Sequence, residues 1–552
     1  MAQRQRVIGL LTAALLLTPA ASTHANPLDV RLNEVQVLGS HNSYHIRPEQ
    51  RILDVLGLFD ATLPIGLDYT HIPLTDQFTT QGIRQIELDV FADPLGGLYS
   101  DRAAFIFFGE DPASGLPELD EPGFKVLHVQ DIDFDTTCLT LVGCLQEVKA
   151  WSDANPEHVP IMILIEAKDD TIPDPVDLGF VIPIPIGPVE LDELDAEIRS
   201  VFPPDRLITP DDVRGAHASL EDAIFTDGWP SLWESRGKVM FGLDNGGGVR
   251  SDYIAGHPAL AGRVMFTDSP TGTPEAAFLK VNGPVGNEQY IADRVADGYI
   301  IRTRADADTL EARANSTTRR DIALASGAQF ISTDYPIPNP AFGTDYFVEI
   351  PGGNPARCNP VNGPFDCLSP ALERLDGFVE VAGKKLTVSD RGPDRRKITV
   401  RLVDGFINMP IAGSGDEPTT AGATLMLSNP STGETEQYAM PATGTHWKAL
   451  GSPPGRTGYK YSDPDTSLGP CKSLRMLRKR REIRAKCIVK NSPIDFSLDE
   501  PSQGTLDVTL QLGDGDTYCA SFGGTVKTDQ SSSTGRGLFL ATDAPAGGCP
   551  AP

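Results

Sequence analysis

The chain is poor in the residues that build soft-metal sites. It has nine histidines and eight cysteines in 552 residues, and no two cysteines form a CxxC pair. That spacing argues against zinc fingers and ribbons. Basic residues are scarce as well: 47 Lys and Arg against 75 Asp and Glu leave a net charge of -28. This excludes the broad positive surface a nucleic-acid partner needs, and with it tight, purely electrostatic docking on anionic membranes. Beyond the first twenty residues no apolar run is long enough to span a bilayer. Leu178–Leu191 is apolar but broken by Pro183, Pro185 and Pro188, and reads as a loop. No glycine-rich dinucleotide fingerprint follows the first strand, which argues against an open nucleotide-binding sheet.

What is present begins with an export signal over residues 1–25. Arg4 and Arg6 supply positive charge, Val7 to Leu17 form a short apolar core, and Thr23-His24-Ala25 offers a cleavage site. The expected location is outside the cytoplasm, secreted or periplasmic, where cysteines oxidise. The eight fall as near neighbours, Cys138/Cys144, Cys358/Cys367, Cys471/Cys487 and Cys519/Cys549. Spacing alone leaves about 105 connectivities open; neighbour pairing is the expectation.

Residues 30–351 alternate strand-like and helix-like segments. The strands expected are Val35–Gly39, Ile83–Phe91, Val126–Val129, Pro160–Ile165, Lys238–Leu243, Arg263–Phe266, Tyr299–Arg302 and Phe330–Thr333. Most are near-continuous apolar runs, as strands buried on both faces should be. Helices are expected at Leu139–Asn155, Leu191–Phe202, Glu288–Gly298 and Thr309–Gly327. Eight strands with intervening helices predict a (β/α)8 TIM barrel. Residues 352–370, rich in Pro, Gly and Asn, read as a linker. From 371 to 552 period-two segments separated by turns predict an all-β, sandwich-like domain.

Barrel chemistry sits at the C-terminal strand ends. There the sequence places His41 and Asn42; Glu87 and Asp89 in IELDV; His128 in VLHVQD; Glu166 with Lys168 in LIEAK; Arg302 and Arg304 in YIIRTRAD; and Asp334 with Tyr335. Each alone has an ordinary reading, since an acid closing a strand often caps a helix. Together they are an oxygen-rich set. Glu87 and Asp89, two apart, share one strand face, and a carboxylate among apolar neighbours costs several kcal/mol unless paired or metal-bound. Asn42, Glu87, Asp89 and Glu166 supply hard oxygen ligands that favour Ca²⁺ or Mg²⁺. His41 and His128 remain for proton transfer, and Lys168, Arg302 or Arg304 for phosphate. Asp334 and Tyr335 complete the candidate substrate-binding set. His45 is either pocket lining or a loop histidine, and His158 reads as a helix cap or surface group.

HNSYH, IELDV, VLHV and LIEAK, in this order, resemble the calcium-dependent phosphoinositide-specific phospholipases C. IELDVFADP, KVLHVQDID, WSDANPEH, RTRADAD and STDYP are similar to the secreted bacterial branch. The resemblance runs from about Leu32 to Pro351. It implies a PLC-like TIM barrel, Ca²⁺ on Asn42, Glu87, Asp89 and Glu166, and His41 and His128 as the catalytic pair. The implied reaction releases diacylglycerol and a cyclic inositol phosphate, with His128 as general acid. His41 stabilises the phosphorane or helps remove the proton, and Glu87 or Glu166 can share that base role. The loop between Asp89 and His128 is longer than in eukaryotic relatives and carries the apolar AFIFFG. Competing readings are a glycerophosphodiester phosphodiesterase or sphingomyelinase D-like enzyme, which usually has Arg-Gly after the first His where this chain has Asn42-Ser43, and a non-catalytic lipid- or polyanion-binding protein. The expected partner is phospholipid at a membrane or lipid interface. Lys472–Lys490, with nine Lys/Arg against one Glu, is either an anionic-lipid contact or a solvated basic face.

Overall fold

The computed structural model describes residues 30–364, 367, 372–373, 378–404, 407, 410, 417–443, 445–452, 454–513, 516–547 and 549. The expected signal peptide lies outside them. Eight parallel strands form the first unit: β1 (Val35–Ser40), β2 (Ile83–Phe91), β3 (Ile161–Ala167), β4 (Val239–Leu243), β5 (Met265–Thr267), β6 (Phe278–Lys280), β7 (Ile300–Arg304) and β8 (Phe330–Thr333). They run β4-β3-β2-β1-β8-β7-β6, with β5 on the other side of β4. One parallel bridge, Asp268 to Phe278, joins β5 to β6 and completes the ring. β1, β2, β4 and β8 are buried at every position, as expected for strands covered on both faces.

Two strand expectations are corrected. Val126–Val129 is not a barrel strand: only Lys125–Val126 is extended, and it pairs antiparallel with the end of β2. The true sixth strand, Phe278–Lys280, is three residues long and too short to show a period. The helix expected over Thr309–Gly327 is two, Leu310–Ala314 and Thr318–Ala325, split at Asn315 in the left-handed region (φ 49°). Leu141–Ala154 starts on its Thr140 cap, whose hydroxyl accepts from Gly143 N–H. Ala356–Cys358, within the expected linker, pairs antiparallel with β1.

Gly39 has a specific reason to be glycine. It pairs with Gln85 across β1 and β2, and a Cβ there would lie 2.0 Å from Gln85 Oε1. The Gln85 side chain crosses over Gly39 to reach Ser332 Oγ at 3.1 Å.

The C-terminal strands form a five-stranded and an eight-stranded sheet. Both sheets contribute to one apolar core, with Leu386, Val400, Leu425 and Leu510 all buried. Neighbouring cysteines pair as expected, giving four disulfides and no free thiol. The basic segment is a hairpin, Cys471–Leu477 against Glu482–Ile488. Arg478 and Arg481 at its turn are buried. Arg478 lies in the field of Glu157 and Arg236, which precede β3 and β4, at the N-terminal end of the barrel. An anionic-lipid contact through Lys472–Lys490 would therefore engage the end remote from the strand C-termini.

Candidate active site

The loop after β1 is pinned to β2 before any chemistry begins. Ser43 N–H donates to Glu87 O, and Glu87 N–H donates to Ser43 Oγ, both at 2.9 Å. Asn42 between them takes a left-handed conformation (φ 42°), which asparagine tolerates better than most residues. The hydroxyl-rich turn thus fixes the first candidate ligand against the strand that carries the next two.

Glu87, Asp89 and Glu166 each offer an oxygen, and these lie within 4.8 Å of one another. Asp89 and Glu166 are register partners on β2 and β3. Glu87 and Asp89 are buried, while Glu166 is partly open. Burial raises both buried carboxyls, opposed by Arg302 at Glu87 and by Lys168 at Asp89. Lys168 Nζ lies 3.2 Å from both Asp89 Oδ2 and Glu166 Oε2. Burial alone would depress its ammonium, but the two carboxylates override this and raise it. Three crowded carboxylates with two flanking cations are an arrangement that a divalent cation stabilises.

The two histidines are each held by a buried carboxylate. His41 Nδ1 lies 2.8 Å from Asp334 Oδ1, and His128 Nδ1 lies 2.6 Å from Asp133 Oδ2. Burial, with Arg304, pushes the His41 imidazole well below its usual range against the pull of Asp334. Burial works against ionising Asp334, yet His41 and Arg304 hold it below the ordinary carboxylate range. Arg304 donates to Asp334 Oδ2 at 3.3 Å. Behind it, Asp306 accepts from the Asp334 N–H at 2.9 Å.

The other candidates divide. Arg302 is buried and donates to Glu87, to Ser332 Oγ at 3.1 Å and to Asn282 Oδ1 at 2.5 Å, so it supports the carboxylates from inside the barrel. Tyr335 is buried edge-on to Phe342 and Tyr346 and lines, with His71 and Asp334, a cavity of about 450 Å³. His45 is fully buried, stacked on Tyr69 at 4.1 Å and 2.9 Å from Asp133 Oδ1. His158 is buried too, with Nε2 2.6 Å from Ser152 Oγ. Asp133 and Tyr69 were not singled out in the sequence. Both lie in loops with no periodicity to mark them. The DID repeat of carboxylates after His128 was the only available signal for Asp133.

The exposed large apolar side chains are unevenly placed. Among the described residues there are sixteen, none of them in the C-terminal sheets, and twelve sit in the segments, short helices included, that follow strand C-termini. Leu58 is 80% exposed, Leu95 89% and Ile182 75%. Phe105 and Phe108, from the AFIFFG loop, pack against Ile52 and Leu56, so that loop and the Gln50–Phe59 helix share one apolar cluster.

Residues 30–360, more than half of the chain, match the family described as "Phosphoinositide phospholipase C, Ca2+-dependent". Among solved structures, a calcium-dependent phosphoinositol-specific phospholipase C from a Gram-negative bacterium, Pseudomonas sp., is 17% identical, covering 60% of this chain and 96% of that one, TM-score 0.36. A Ca²⁺-dependent phosphatidylinositol-specific phospholipase C from Streptomyces antibioticus is 20% identical, covering 57% of this chain and 96% of that one, TM-score 0.35. No curated protein matches the chain. The family match over more than half of the chain decides: this chain belongs to the Ca²⁺-dependent phosphoinositide phospholipase C family, an enzyme family of phosphodiesterases.

Proposed function

We propose that the protein is an exported phosphodiesterase that cleaves phosphatidylinositol-type lipids to diacylglycerol and a cyclic inositol phosphate. The observation that carries this reading is the pair of histidines, each fixed through Nδ1 on a buried carboxylate, beside three clustered carboxylates. Asn42, Glu87, Asp89 and Glu166 would hold the cation. The donor set fits it: all four offer oxygen, and Asn42 Oδ1 is buried with no hydrogen-bond partner. When bound, Ca²⁺ neutralises phosphate charge and lowers the pKa of the attacking hydroxyl.

The remaining work falls to side chains. With Nδ1 occupied, Nε2 of each histidine is the nitrogen turned to proton transfer. The inositol 2-hydroxyl forms the new O–P bond and gives up its proton to His41. The bond from phosphorus to the diacylglycerol oxygen breaks, and His128 protonates that oxygen. Arg304 and Lys168, both partly open, bind non-bridging phosphate oxygens. Asp334 and Asp133 hold the rings, and Arg302 holds Glu87. The apolar loops around the strand C-termini dock on the lipid surface, and the four disulfides suit an oxidising exterior.

The test is a product assay with phosphatidylinositol, glycerophosphoinositol and sphingomyelin, run with Ca²⁺ and then with chelator. Cyclic inositol phosphate that vanishes with chelator is the expected result. Activity that persists without metal sinks the calcium assignment, and turnover of sphingomyelin alone sinks the substrate class.

A further inference from the structure

We infer that Tyr69 is a positioning residue that sets which atom of the Asn42 amide faces the cation. The inference rests on Asn42 being a calcium ligand, as proposed above. An amide carries one acceptor and one donor of nearly equal size, and only the oxygen can bind Ca²⁺. Something must therefore choose between the two orientations.

Tyr69 Oη, which can donate or accept, here accepts, and so holds the amide with its nitrogen toward the phenol and its oxygen turned away. Asn42 Nδ2 donates to Tyr69 Oη at 3.0 Å. The amide oxygen is left buried without a partner, in the condition a metal ligand requires before binding. Tyr69 is itself 3% exposed and held from two sides. Its ring stacks on His45 at 4.1 Å, and its carbonyl lies 3.1 Å from His45 Nδ1. His45 in turn is fixed by Asp133. The hydroxyl thus stands on a rigid base. Support of this kind around a metal ligand is worth about 10–100-fold in affinity.

Tyr69→Phe keeps the ring stack and removes only the hydroxyl. The expected result on the full chain, by calorimetric titration with CaCl₂, is a Ca²⁺ affinity weakened about 10-fold, with a modest drop in unfolding temperature in chelator from the unpaired Asn42 Nδ2. Asn42→Asp supplies the control, because a carboxylate presents oxygen whichever way it turns. In that background Tyr69→Phe should change affinity by less than about 2-fold, the coupling expected of directly interacting residues. Wild-type affinity in Tyr69→Phe overturns the inference and leaves the calcium site standing. An equal loss in the Asn42→Asp background also overturns it. No heat of Ca²⁺ binding by the unaltered chain overturns the calcium site itself, and the inference with it.

Discussion

Asp133 lies 2.6 Å from Nδ1 of His128. Burial would raise its carboxyl, but His45 and His128 together hold it down at about 2, so it stays an acceptor across the working pH range. Asp133→Asn keeps the shape and loses the charge that fixes the tautomer. Its turnover number should fall at least about 10²-fold, the scale of one proton-transfer role. A near-normal turnover would detach Asp133 from catalysis.

Arg302 and Glu87 form a buried ion pair inside the barrel. Arg302→Met strands the carboxylate in the interior, a change that costs about 3–5 kcal/mol. Urea unfolding in chelator should show that loss, and saturating Ca²⁺ should recover part of it by supplying a replacement cation. A loss that calcium does not touch would separate Glu87 from the metal.

The apolar loops should matter only at an interface. Leu58→Ser combined with Phe59→Ser removes two side chains 80% and 56% exposed, each worth about 1.5–3 kcal/mol when fully buried. Binding to phosphatidylinositol vesicles should drop at least about 10-fold, while hydrolysis of a short, water-soluble inositol phosphodiester stays unchanged. Equal losses on both substrates would mean that the helix supports the site and does not dock.

Stability should fall on acidification through buried, uncharged His158. Burial lowers its imidazole from 6.5 to about 4. The unfolded chain therefore binds a proton that the folded chain refuses between those values. Stability rises with pH across that window and is lost as pH falls from 6.5 toward 4, by at most about 3 kcal/mol. His158→Gln should flatten that part of the profile in chemical denaturation. An unchanged slope would assign it to other groups, His71 first, which burial also lowers to about 4.

Most of the carboxylate cluster was legible because strand geometry is regular. A two-residue repeat puts Glu87 and Asp89 on one face wherever the strand lies, and β2 is a strand over the full expected range. The placement of His128 at a barrel-strand end did not hold. The segment reads as a strand from its β-branched residues, yet the side chain is presented by a loop pinned at Asp133. Tyr69 was invisible, and Asp133 marked only by the DID repeat, because loop contacts between residues 24 and 88 positions apart leave no local pattern. Arg302 shows the opposite limit: the sequence reads it as the last residue of its strand, whereas β7 continues to Arg304, and its direction into the barrel depends on the Glu87 opposite. His158 follows a helix end, as surface groups do, and the packing of Trp151 beside it, with Ser152 bonded to its ring, puts it in the interior.

Gly39 and Gln85 carry a consequence for how this barrel can vary. Because the amide of Gln85 occupies the space a side chain at position 39 would need, the two positions are not free to drift independently. A related barrel with alanine or larger at the first position should carry a shortened residue at the second. Such paired exchange between neighbouring strands would mark lineages that have rebuilt the floor beneath the same chemistry.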